Sequence, residues 1–307
     1  MTATRSYTFT DYLAAKKAVD DRSINRRVWG TLVRQLAVPS RRPWRVLEVG
    51  AGVGTMLERA LEWNLFREAD YTTIDAGADN VAAGCDRFPE WAAEHGYQVS
   101  DDGPCSWQIR APLKQVRARF KTADLFDFAA SRRDERWDLL IAHAVMDLLN
   151  VPETLPVLFD LLAEGGLFYF SLNFDGLTLF EPVLDPALDE QIQALYHQTM
   201  DERLTGGKPS GDSRTGRRLF SHLRACGASI LDAGASDWVV FPGPDGYPEG
   251  SAIFLHYLVD TVRSALEGTS GLDAEKFRAW VESRHAQIER GELVYICLLY
   301  TSPSPRD

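Results

Sequence analysis

No apolar run in the 307 residues approaches the roughly 20 that a membrane span requires, and the N-terminus has no apolar leader, so a soluble, cytoplasmic protein is expected. Cysteine is scarce. Cys85, Cys105, Cys226 and Cys297 show neither CxxC spacing nor histidines at ligand spacing, so four free thiols are expected, with no disulfide scaffold and no structural zinc. The six histidines are scattered, and no metal is expected. Positive charge is also in short supply: Lys and Arg total 33 against 44 Asp and Glu, a formal charge of −11, and basic residues never cluster beyond pairs such as Arg41-Arg42 and Arg217-Arg218. A body so acidic repels phosphate backbones and anionic lipid, which argues against nucleic acid and membrane partners. The balance that remains, 45% hydrophobic and 25% charged, is that of a globular protein of one large or two small domains.

Short apolar runs alternate with helical patterns through the middle of the chain, the signature of a parallel sheet with crossover helices. Residues 1–43 form a helical preface, with Ile24, Val28 and Leu32 on one face and Arg22, Asn25, Arg26 and Trp29 on another, ending at the turn Pro39-Ser40-Arg41-Arg42-Pro43. The strand candidates are 45–49, 71–74, a weaker run at 116–120, 137–141 and 167–170, five strands in doubly wound order. Helices are expected over 185–204, 217–226, 250–267 and 273–290, with Thr205 to Gly216 as a hinge or lid and strands within 228–240 and 291–296. The ending, Cys297 to Asp307, continues no earlier pattern and reads as a non-native tail that adds little stability.

The most informative segment is Val46-Leu47-Glu48-Val49-Gly50-Ala51-Gly52-Val53-Gly54-Thr55, a strand running into a glycine turn and a helix. A dinucleotide fingerprint requires glycine where Thr55 stands, and Gly207-Lys208 is followed by Pro209, so both phosphate-loop readings weaken. Glu48, Gly50, Gly52 and Gly54 match acid-x-Gly-x-Gly-x-Gly. On this motif the chain resembles the class I S-adenosylmethionine-dependent methyltransferases. Later acids fall in the resembling order: Asp75 closes the second run, Asp124 follows the third, and Asp138 opens the fourth.

The resemblance implies an α/β fold, a doubly wound Rossmann-like methyltransferase sheet with helices on both faces, over residues 44–296. Cap insertions at about 174–216 and 249–290 would cover a small-molecule acceptor. It implies S-adenosylmethionine as cofactor, held by Glu48, Gly50, Ala51, Gly52, Gly54, Asp75, Ala76, Asp124, Leu125 and His143, with Asp75 on the ribose hydroxyls, Asp124 at the adenine and Asp138 structural. His143, at the crevice end of the fourth strand, is a candidate general base, a wall of the methionine pocket, or a buried imidazole. Asp147 either orients that ring or caps the next helix. Asn173 and Asp175 end the fifth strand, where they either hold a polar acceptor or build the turn. Tyr7, Tyr12 and Arg22 either close over the site or form a solvated face, and Trp238 and Tyr257 either wall a substrate or pack the core. An aminopropyltransferase or a non-catalytic cofactor-binding partner protein would share this fold. Neither the acceptor nor the oligomeric state is written in the sequence.

Overall fold

A capping box starts the first helix: Thr8 accepts from the Asp11 N–H and Asp11 returns the bond to the Thr8 N–H. The computed structural model describes residues 7–38, 40–132 and 134–305. The preface is two helices, α1 (Phe9–Ser23) and α2 (Arg26–Leu36), separated where Asn25 caps the second. Next come β1 (Trp44–Val49), α3 (Thr55–Glu62), β2 (Glu68–Asp75) and α4 (Ala78–Glu94). A hairpin of β3 (Gln98–Gly103) and β4 (Ser106–Ala111) precedes β5 (Lys114–Thr122) and α5 (Leu125–Ser131). After β6 (Trp137–His143) come a 3₁₀ turn (Met146–Leu148), α6 (Val151–Leu161) and the long β7 (Leu162–Glu181). The remainder comprises α7 (Pro186–Asp201), the paired β8 (Leu204–Thr205) and β9 (Lys208–Pro209), α8 (Thr215–Ala225), β10 (Gly234–Ala235), β11 (Trp238–Val240), α9 (Ser251–Leu266), α10 (Ala274–Glu289) and β12 (Val294–Pro305).

The sheet runs β10-β12-β7-β6-β1-β2-β5-β4-β3, parallel from β7 through β5 and antiparallel at both flanks. Strand order reverses between β1 and β6, which puts the glycine turn and the end of β6 side by side at the carboxyl edge, where such folds bind ligands. The fold class expected from the sequence is the one observed. Val46, Tyr71 and Val116 face α3 and α4, while Leu47, Leu140 and Phe168 face α5, α6 and α8. No helix among the described residues is long and apolar enough to cross a membrane.

One element goes unread and three expectations are corrected. The β3–β4 hairpin carries no apolar run and goes unread in the sequence. Cys85 and Cys105 are not free: α4 packs against that hairpin, bringing their Cα atoms to 5.3 Å, and they form a disulfide across 20 residues. Trp29 is buried, edge-on to Trp63 and Tyr169, because α2 lies on the sheet through a wider stripe than its aliphatic residues alone suggest. The tail is no appendage either. Residues 297–305 are the second half of β12, pairing Cys297 with Thr178 and Leu299 with Phe174, with Cys297, Leu299 and Thr301 buried. The prolines at 303 and 305 lie beyond Thr301, past which no described strand pairs the outer edge of β12, so their missing N–H groups cost little.

Candidate functional site

The turn after β1 is left-handed at Gly50 (φ +66°) and Gly52 (φ +55°), a conformation costly for residues with a Cβ. It is also crowded. A Cβ on Gly50 would stand 2.5 Å from Val145, and one on Gly52 would stand 3.1 Å from Leu13 of α1. Asp75 fastens this turn to the end of β2, one oxygen accepting from the Gly52 N–H (2.8 Å) and the other from Gly77 N–H (2.8 Å) and Asn80 Nδ2 (3.0 Å). The Asp75 Oδ2 keeps a free lone pair beside the partly exposed rim, a fitting acceptor for a hydroxyl.

Neighbouring strand ends supply the rest of this rim. Ala51 is buried in the turn and Ala76 is exposed beside Asp75. Asp124 caps α5, accepting from the Phe126 N–H (2.8 Å) and the Asp127 N–H (3.2 Å), with Leu125 buried behind it. Gly54, at the start of α3, packs over Phe120 of β5. The glycines, Asp75, Ala76, Asp124 and Leu125 therefore lie at the carboxyl ends of neighbouring strands along one edge of the sheet.

Glu48 does not line it. Its side chain lies under the turn, 1% exposed, and accepts a bond from the Tyr71 hydroxyl (2.8 Å). Burial pushes its carboxyl up to about 8, so it is largely protonated at neutral pH.

His143 sits at the expected strand end but is fully engaged. With its proton on Nε2 the ring donates to Asp20 (2.9 Å) and accepts at Nδ1 from the Ser171 hydroxyl (2.7 Å). Burial lowers its pKa to about 4. In this geometry the ring has no nitrogen for a substrate, which corrects the general-base reading: it locks β6 and β7 to α1. Asp20 also accepts from Lys16 Nζ (2.6 Å) and Trp238 Nε1 (3.0 Å). Burial works to raise the Asp20 carboxyl, but Lys16 and His143 outweigh it and hold it well below the usual carboxylate range.

Asp147 is the contrasting group. It stands on the 3₁₀ turn after β6, its Oδ1 buried without a hydrogen-bond partner among the described residues, and burial pushes its carboxyl up to about 6. It neither orients His143 nor caps α6. Tyr196 of α7 is near enough to feel its charge, and Tyr196 also lines a 380 Å³ cavity with Leu179, Phe180, Ile192, Val262 and Trp280.

The remaining candidates are engaged with other parts of the fold. Asn173 donates to the Tyr300 carbonyl (2.8 Å), and Asp175 accepts from the Arg217 N–H (2.9 Å) and Nε (2.8 Å), because both point to the α8 side of β7 and away from α1. Asp138 takes both Arg42 guanidinium nitrogens at the opposite end of the sheet, consistent with a structural role. Arg22 donates to Ser251 (2.8 Å), and Tyr12 stacks between Tyr257 and Phe254, joining α1 to α9. Tyr7 reaches the ring of His256. Among the described residues no cluster suited to a metal occurs. Sequence reasoning missed Asp20, whose one local signal is the i, i+4 pair with Lys16.

A family model described as a methyltransferase domain matches residues 22–203, more than half of the chain. The chain belongs to that family. S-adenosylmethionine is the cofactor of this methyltransferase family, and the free acceptor on Asp75 and the bare backbone of the glycine turn suit its ribose and methionine chain. No curated protein matches the methyltransferase. Solved structures similar to it include a SAM-dependent methyltransferase from Thiobacillus denitrificans in complex with S-adenosyl-L-homocysteine. That likeness has 16% identity over 95% of this chain and 96% of that one, with TM-score 0.46. A putative sarcosine dimethylglycine methyltransferase from Galdieria sulphuraria is 12% identical over 98% and 99%, with TM-score 0.44.

Proposed function

We propose that this methyltransferase alkylates a small molecule with an apolar body, held between the carboxyl end of β6 and the cap of α7, α9 and α10. The observation that carries this reading is the fastening of the glycine turn to Asp75 at the carboxyl edge of the sheet, with Asp147, just after β6, holding one oxygen that has no hydrogen-bond partner among the described residues. S-adenosylmethionine, when bound, supplies an electrophilic methyl group on a sulfonium. The protein's own share is alignment, which can lower a barrier by about 7–11 kcal/mol without acid–base help. Asp75 orients the ribose, and the turn's bare backbone lets the methionine chain pass close. Leu179, Phe180, Ile192 and Trp280 exclude water around the acceptor. Asp147 receives a hydrogen bond, and then the proton, from an acceptor N–H or O–H, a role suited to a carboxylate with a pKa near 6.

Calorimetric titration with S-adenosylhomocysteine and NAD tests the cofactor half. The homocysteine compound is expected to bind and NAD to give no heat. Asp75→Ala is expected to weaken the former by about 30- to 1,000-fold through loss of charge-assisted bonds. Tight NAD binding without a response to the other ligand would overturn the reading. Incubation with labelled S-adenosylmethionine and a metabolite extract, read by mass spectrometry for a gain of one methyl group, then finds the acceptor.

A further inference from the structure

Parallel α/β sheets ordinarily have helices over both faces. Here α4 covers one face of β2, β5 and the hairpin, while the other face presents polar side chains at every second position: Asp70 and Thr72 on β2, Arg119 and Lys121 on β5. α5 reaches this face with Phe128 and Arg132, and Arg45 comes from β1, so the residues enclose a bowl of about 430 Å³. None of them belongs to the rim assigned to the cofactor.

The charge in this bowl runs against that of the chain. Four cations, Arg45, Arg119, Lys121 and Arg132, face two carboxylates, Asp70 and Glu135. Glu135 is shared, paired with Arg45 (2.9 Å) and with Arg132. Asp70 meets Arg119 only loosely, at 3.4 Å. Lys121 makes no ion pair within 4 Å among the described residues. Two of the guanidinium groups are held in place from behind, Arg45 over the Trp137 ring at 5.4 Å and Arg132 over Phe128 at 5.7 Å, so their forks are fixed before any ligand arrives.

We propose that this bowl binds a multivalent oxyanion, a small polyphosphate-type group whose two or more negative charges match the two uncompensated cations. The arrangement has the marks of such a site: guanidinium groups that offer bidentate donors, one flexible ammonium, and walls that keep the cations from relaxing apart. Burial together with Arg132 and Arg119 lowers the Lys121 ammonium below its ordinary pKa, a strain that an anion would relieve. Attraction to the bowl and repulsion from a chain carrying −11 both scale with the ligand's charge, so preference for a polyvalent anion comes from its several anionic groups meeting separate cations at once.

Titration with inorganic pyrophosphate at fixed ionic strength tests this, with orthophosphate and chloride as controls. One equivalent of pyrophosphate is expected to bind at least tenfold more tightly than orthophosphate. The double variant Arg119→Gln/Lys121→Gln, shown folded by circular dichroism, is expected to lose tenfold or more. Glu135→Gln, which removes the opposing charge, is expected to tighten binding about threefold, a sign that general damage to the fold would not produce. Uridine diphosphate, compared in the same variants, separates the sources: tighter binding than pyrophosphate assigns a diphosphate carried on a larger molecule, weaker binding a free anion. Pyrophosphate heats no larger than the chloride control, or an affinity unchanged in the double variant, would overturn the proposal.

Discussion

Two carboxylates lie near the carboxyl end of β6, Asp20 fully buried and Asp147 half-buried with one buried oxygen, and they are opposites. On the α1 side Asp20 is saturated, with Lys16, His143 and Trp238 all donating to it. On the α7 side Asp147 has an oxygen with no partner among the described residues. Burial penalises both charges; only the first has the donors to offset the penalty, and its carboxyl stays ionised while that of Asp147 rises to about 6. A saturated buried charge builds the fold, whereas an unsatisfied one weakens it and is kept for something that binds. The contrast makes α1 a fixed part of the fold, and the proposed role of Asp147 rests on the same contrast.

The sharpest way to break this comparison is Asp20→Ala. It strands an ammonium, an indole N–H and an imidazole N–H, and should cost about 3–5 kcal/mol in urea unfolding. A loss below about 1 kcal/mol would mean that the cluster is not the lock described.

Stability against pH gives the next effect. His143 binds its proton less readily folded (about 4) than unfolded (6.5), so its contribution is complete above pH 6.5 and is lost as pH falls toward 4, about 3 kcal/mol in all. His143→Asn should flatten that limb; an unchanged slope would remove the imidazole from the account. Asp147 has the reverse sign: its folded pKa is raised from 3.8 to about 6, so its contribution is present below pH 3.8 and is lost as pH rises through 6.

The smallest expected effect follows from that sign. Asp147→Asn should stabilise the methyltransferase by about 1–3 kcal/mol at pH 7.5 and at the same time lower methyl transfer to the acceptor. A variant that is less stable but fully active would make Asp147 a structural residue like Asp20.

How much of this was legible in the sequence follows from the range of each interaction. β1, β6 and the middle of β7 could be read because they are buried on both faces and show a continuous apolar run, whereas β5 gave a weaker signal because Arg117, Arg119 and Lys121 occupy its other face. The glycine turn and Asp75 could be read because a strand, a turn and a strand end lie within 30 residues. Asp20 was invisible because its decisive partners are 123 and 218 residues away. The β3–β4 hairpin was missed because one face is solvated and its turn carries Asp101, Asp102 and Gly103, leaving little apolar signal. Without the hairpin, nothing could bring Cys105 to Cys85. Asn173 and Asp175 were expected to end the fifth strand, but β7 runs on to Glu181 and they lie within it on the α8 side, where Leu172 is left-handed (φ +56°) and interrupts the alternation.

Leu13 against Gly52 has a consequence for access. α1 is tied to the rest of the fold by two ion-paired contacts, His143 with Asp20 and Arg59 with Asp21, and Leu13 rides on that helix. With α1 held in place, Leu13 stays over Gly52 as a permanent roof, so the space beside the glycine turn is set by the fold and not by the arrival of a ligand.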